Sequence, residues 1–97
     1  MGKIKKSSDS PEMKSKCDYW IGESYFGLKD YDKAIEYYSK VIESDKSYRK
    51  DKAQVMIAES YIRSGKVSKA KVAFNSLIKR FPQSEYVPRA RKMLQQL

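Results

Sequence analysis

The chain has 97 residues, 40% apolar and 34% charged, with 21 Lys and Arg against 12 Asp and Glu for a net charge of +9. That length holds one small domain, and no run of about eighteen apolar residues is present to cross a bilayer. Histidine is absent and cysteine occurs once, which excludes a Cys/His zinc site, a histidine general base and an internal disulfide.

Residues 1–9, rich in Lys and Ser, are expected to form a disordered basic tail, with residues 10–97 as the folded domain. The first six residues lack the apolar centre of a signal peptide, and Lys6 stands where a myristoylation sequence needs Ser or Thr. Ser10-Pro11-Glu12 reads as a helix start: a Ser cap, Pro at the first helical position, then an acid at the positive end of the dipole. That helix is expected to reach about Leu28. Asp30 caps a second helix whose Ala34, Ile35, Tyr38, Val41 and Ile42 form one apolar stripe. A third helix is expected from about Tyr48 to Ser64, stopped by Gly65. The fourth runs from about Val67 to Arg80 with Ala70, Ala73, Phe74, Leu77 and Ile78 inward, and Phe81-Pro82 ends it. Ser84 is expected to cap a fifth helix, with Pro88 in or just beyond its first turn. No alternating strand pattern occurs, so the fold class is all-α, built from antiparallel helix pairs.

The chain also repeats itself. Glu23, Ser24 and Tyr25 recur as Glu59, Ser60 and Tyr61, 36 residues later, and Ala34 and Tyr38 recur as Ala70 and Phe74. A fixed period of this length marks a stacked array. Repeat one is taken as residues 11–46 and repeat two as 47–82. Adding the period again reaches residues 84–97, so the last helix is expected to cap the array. Small residues at Gly22, Ala34, Ala58 and Ala70 let the paired helices approach closely, with Tyr25 and Tyr61 filling the space beside them. Cys17 is expected to be a small buried apolar residue.

Ile21-Gly22, Tyr25, Ala34 and Tyr38, then Ile57-Ala58, Tyr61, Ala70, Phe74 and Pro82, resemble the tetratricopeptide repeat pattern. The resemblance implies a right-handed superhelix of two repeats plus a cap, and a protein-interaction scaffold. More closely, Tyr19 to Tyr25, Asp30 to Ile35 and Ile78-Lys79-Arg80-Phe81-Pro82-Gln83-Ser84 are similar to the C-terminal domain of the Tol-Pal-associated periplasmic family, whose members are also described as cell-division coordinators. Outer-membrane assembly lipoproteins share much of this wording. The likeness implies a periplasmic location and contact with a TolA-like envelope protein. The chain departs from the pattern in having Lys46 where Pro would follow the first repeat.

By the geometry of that family, the first helix of each pair lines a concave groove. This places Tyr19, Glu23 and Phe26 in repeat one, Val55, Glu59, Ile62 and Arg63 in repeat two, and Arg91 and Gln95 on the cap. Tyr19, Glu23 and Phe26 follow i, i+4, i+7 spacing, as do Val55, Glu59 and Ile62. The core stripe of Ile21, Gly22 and Tyr25 is assigned to the opposite side. A peptide or helix laid in the groove would use the apolar members; alternatively they close on one another or cover a turn. Glu23 and Glu59 are read either as recognising a basic ligand group or as surface ion pairs, Glu59 with Arg63 and Glu23 with a lysine. On this reading Tyr19, Glu23, Val55 and Glu59 would not hold an acidic C-terminal peptide.

Trp20 is angled toward where an upstream repeat would lie and is the expected face for a homo-oligomer; alternatively residues 1–16 fold back over it. The basic charge leaves a second function, nucleic-acid or anionic-surface binding through tail and turns. Tyr25, Tyr61 and Phe74, assigned to the core, are not free to stack on bases, so no nucleic-acid partner is expected from them. No catalytic, cofactor or metal residues are assigned: there is no phosphate-cradling Gly loop, and a Glu23/Glu59 pair in an open groove would exclude little water.

Overall fold

The structure is a computed structural model that describes residues 11–97; the expected tail at residues 1–9 lies outside the described residues. Five helices follow one another: α1 (Pro11–Gly27), α2 (Tyr31–Glu43), α3 (Lys50–Arg63), α4 (Val67–Arg80) and α5 (Val87–Gln96). Among the described residues there is no strand, and no helix is long and apolar enough to cross a membrane. Each helix packs mainly on its neighbours in sequence: α1 on α2, α2 on α3, α3 on α4 and α4 on α5. The result is a slab of 55 × 30 × 16 Å. With a helix about 10 Å across including side chains, its thin dimension leaves every helix near a surface.

Helix ends follow from local backbone chemistry. After α1 the Asp30 N–H reaches back to the Tyr25 carbonyl at 2.9 Å, with Lys29 in the left-handed region at φ 65°. After α3 the same closure recurs: the Lys66 N–H reaches the Tyr61 carbonyl at 2.8 Å, with Gly65 at φ 79°. Both are Schellman stops. The Asp30 carboxylate then accepts from the Lys33 N–H at 3.2 Å, capping α2 as expected. Two starts differ from expectation. Arg49 adopts a left-handed conformation at φ 44°, so α3 begins at Lys50, two residues later. Ser84 caps a turn instead of the helix itself: its hydroxyl accepts from the Tyr86 N–H at 3.0 Å and donates to Asp51 at 2.6 Å. That second bond ties the approach to α5 to the first turn of α3.

The core joins Ala34, Tyr38, Val41 and Ile42 of α2 to Ala53, Val55, Ile57 and Ala58 of α3, to Ala73, Phe74 and Leu77 of α4, and to Tyr19 and Ala90 at the two ends. Ile35 and Ile78 are only half-buried, as are Tyr25 and Tyr61, which pack against the cluster. On α5, Ala90 is buried while Met93, Leu94 and Leu97 lie partly covered on the same cluster, as a cap should. Two expectations fail. Cys17 is exposed, not buried, and Ile21 is 37% exposed while its counterpart Ile57 is 7% exposed. The difference follows position in the array: α3 has α2 packed before it and α4 after it, whereas no described helix precedes α1.

Gly22 marks a close approach of α1 and α2. A Cβ built there would lie 3.0 Å from the Tyr38 ring, itself fully buried. Replacing Gly22 by Leu should therefore force α1 and α2 apart and lower stability by about 2 kcal/mol, in the range for overpacked cores. Urea unfolding followed by circular dichroism checks this; an unchanged midpoint would mean the contact is loose in solution.

Candidate functional site

The odd-numbered helices carry the residues assigned to the groove, and their fates differ. Tyr19 and Val55 are fully buried, so neither can be presented to a partner. Tyr19 sits edge-on against Trp20, Tyr38 and Tyr48 at centroid distances of 5.0, 5.9 and 5.9 Å. The i, i+4, i+7 strip is real, but its first members belong to the core.

Glu23 and Glu59 are occupied by groups of the fold. Glu23 accepts hydrogen bonds from the Tyr38 hydroxyl at one carboxylate oxygen and from the Tyr19 hydroxyl, at 3.4 Å, at the other. Glu59 instead accepts from Arg89 of α5 at 2.6 Å, with only 12% of its side chain exposed. Glu59 thus pairs with Arg89 in place of the alternative Arg63, and Glu23 bonds to two tyrosines with Lys52 near enough to feel its charge. The case against an acidic ligand loses its basis, because two of its four residues are buried and the other two are engaged.

Cations and rings remain beside the strip. The Arg49 guanidinium lies 5.2, 5.4 and 5.5 Å from the Tyr19, Trp20 and Tyr48 rings. Lys52 lies 5.9 Å from the Tyr86 ring. Burial alone would lower its ammonium, but the Tyr19 hydroxyl and the neighbouring Tyr86 and Glu23 more than offset this and raise it. Farther along, Arg63 of α3 lies 5.3 Å from the Phe26 ring of α1, bringing two assigned groove residues together. Phe26 and Ile62 are half-buried, whereas Arg63, Arg91 and Gln95 are exposed. Arg89 and Arg91 are two residues apart, about 200° around α5, so the Arg91 strip points away from the Glu59–Arg89 pair. Trp20 is 51% exposed.

Residue reasoning did not single out Arg49, Tyr86 or Arg89 for this face. Arg89 has no periodic counterpart in that role, and Arg49 depends on a left-handed turn. The Tyr38 hydroxyl carried a signal, since its counterpart Phe74 lacks one.

Burial first, then the hydrogen bond to Glu23, raises the Tyr38 hydroxyl far above the ordinary tyrosine range. A group whose folded value is raised stabilises the fold in full below its unfolded value, here about 10. That contribution falls away as pH climbs above it. Native Tyr38 should therefore stay protonated through an alkaline absorbance titration and ionise only on unfolding. Tyr38→Phe should remove that late-titrating tyrosine; a Tyr38 that ionises with the exposed tyrosines would show that the Glu23 bond is not maintained.

Comparison with known families agrees with the architecture. Two tetratricopeptide repeat models match, one over residues 19–48 and one over residues 52–84. No curated protein and no solved structure gives a significant match. The first match begins at Tyr19, midway along α1, and runs through α2 and the turn after it; the second runs from Lys52 in the first turn of α3 through α4 to the approach to α5. Together they cover more than half of a chain whose helices stack in sequence, and on that footing it belongs to the tetratricopeptide repeat family, a family of protein-interaction scaffolds.

Proposed function

We propose that this chain is a non-catalytic scaffold that seats a peptide or helix of a protein partner along the face shared by α1, α3 and α5. The observation that carries this is the division of charge on that face. Glu23 and Glu59 are taken up inside the fold, while Arg49, Lys52 and Arg63 stand beside aromatic rings. Cations beside rings suit a segment with acidic residues flanking an apolar one. The proposed setting is the bacterial periplasm, in cell-envelope or cell-division assembly, with a TolA-like envelope protein as partner; what supports it is the similarity of the Ile78-Lys79-Arg80-Phe81-Pro82-Gln83-Ser84 stretch to the Tol-Pal-associated family.

Self-association through the Trp20 face belongs to the same proposal. Cys17, Trp20, Ile21 and Ser24 are exposed, and with Met13 they line a mainly apolar hollow of 490 Å³ that has Lys16 as its one charged member. Their counterparts one period later, Ala53, Met56, Ile57 and Ser60, are buried or half-buried beside α2. The proposed occupant is the same α1 face of a second copy, an apolar surface that matches itself. Sedimentation equilibrium should show a dimer that Trp20→Glu dissociates. A strictly monomeric mass at high concentration removes the idea.

For the groove, titration calorimetry against the periplasmic part of a TolA-like protein should detect a complex. Arg49→Glu with Lys52→Glu and Arg63→Glu should weaken it by about tenfold or more while helicity is unchanged. No complex with the wild-type chain would remove the Tol-Pal assignment; a complex insensitive to the triple variant would move the site off this face. The second reading, an anionic-surface module, predicts instead that the wild-type chain captures a DNA oligonucleotide with steep salt dependence.

A further inference from the structure

On the side of α3 turned about 200° from Glu59, a slot of 380 Å³ opens between α3 and α4. Gln54, Ile57 and Tyr61 of α3 line it with Lys69, Val72 and Ala73 of α4; Gln54, Ile57 and Ala73 are buried, Tyr61 is half-buried, and Lys69 and Val72 are exposed. The Gln54 amide donates to the Ala73 carbonyl at 3.1 Å and holds the two helices in register. Val72 is 66% exposed, so apolar surface continues to the mouth.

Repeat one records what such a slot accepts. One period earlier, Tyr61 is matched by Tyr25, Lys69 by Lys33 and Ala73 by Tyr37. There the Tyr37 ring stacks on Tyr25 at 5.8 Å with an interplanar angle of 21°, and Lys40 lies 4.4 Å from it. In repeat two the wall tyrosine is kept and the filling ring is reduced to a methyl group. The charges change together with it. Asp18, Asp32, Glu36 and Lys40 of repeat one become Gln54, Ser68, Val72 and Ser76, so three acids and one lysine are replaced at these positions and Lys69 stays, 6.0 Å from the Tyr61 ring.

We propose that this slot is a second binding site, and that it takes an aromatic side chain of a partner protein carrying a carboxylate next to it. The ring stacks on Tyr61 where Tyr37 stacks on Tyr25, and the carboxylate meets Lys69. The site is separate from the α1–α3–α5 face, so its loss and the loss of the groove are distinguished by which set of variants matters.

The test is amide and methyl NMR of the full chain titrated with N-acetyl-L-tyrosine, its amide, and N-acetyl-L-alanine. N-acetyl-L-tyrosine should give saturable shifts confined to Ile57, Tyr61, Val72 and Ala73. The amide should bind about threefold more weakly, as expected for one exposed charge contact, and the alanine derivative should give no such shifts. Lys69→Gln should bring acid and amide level. Ala73→Tyr, which restores the ring of repeat one, should abolish the shifts. Val72→Glu, at an exposed position away from the core, should weaken the acid about threefold more than it weakens the amide. Equal shifts with the alanine derivative, shifts scattered away from the slot, or binding of the acid unchanged in Val72→Glu would each overturn the assignment.

Discussion

One side chain sets the geometry of the first helix pair and the chemistry of the face beside it. The Tyr38 ring lies against the bare backbone of Gly22, and its hydroxyl ends on the Glu23 carboxylate one residue along. A fully buried hydroxyl needs a partner, since leaving one unmade costs about 1–3 kcal/mol. The position of Glu23 therefore follows from the packing of the ring. Repeat two changes both donors. Tyr38 becomes Phe74 and Tyr19 becomes Val55, so no tyrosine hydroxyl is available at either position. Glu59 is released from the role of Glu23 and takes Arg89 from the cap instead. A loss of two oxygens within a repeat thus becomes an ionic link between α3 and α5.

This explains why the fold was legible in the sequence and the groove only partly so. The helices, the stop at Gly65, the cap at Asp30 and the close approach at Gly22 depend on residues near each other or on the period. Which side of a strip meets solvent depends on the neighbouring helix. Tyr19 and Val55 share spacing with Glu23 and Glu59 and differ only in how far adjacent helices overlap them, so spacing alone could not separate core from surface. Ile21 and Ile57 make the same point at the end of the array, where one residue type at one repeat position is exposed or buried according to what precedes it. Arg89 was out of reach for a further reason: its contact is 30 positions away and follows no repeat.

The two copies diverge where divergence frees a surface. At Tyr37 and Ala73 a ring that closes a slot is traded for a methyl that leaves one open, although Tyr25 and Tyr61, the wall it stacks on, are unchanged. Losing the ring removes stacking worth about 0.5–1.5 kcal/mol beyond area burial. The Gln54 bond to the Ala73 carbonyl supplies a separate tie between α3 and α4 in the copy that lacks it. The open slot is therefore braced by polar contact and does not need to collapse.

The turns inside the two pairs must be equivalent for such a comparison to hold, and they reach equivalence by opposite means. Repeat one places Lys29 in the left-handed region, at a cost of about 1 kcal/mol for a residue with a Cβ. It then caps α2 with the Asp30 carboxylate, a bond worth about the same amount. Repeat two uses Gly65 at the left-handed position, which carries little such penalty, and enters α4 through Lys66 with no side-chain cap. Penalty and cap nearly cancel in the first turn and are both absent from the second. The two stops then close with the same backbone bond, 2.9 Å in one and 2.8 Å in the other. Similar turns present α2 and α4 to their partners in similar ways, which makes the differences at Tyr37/Ala73 and Tyr38/Phe74 substitutions within one frame instead of signs of two unrelated helix pairs.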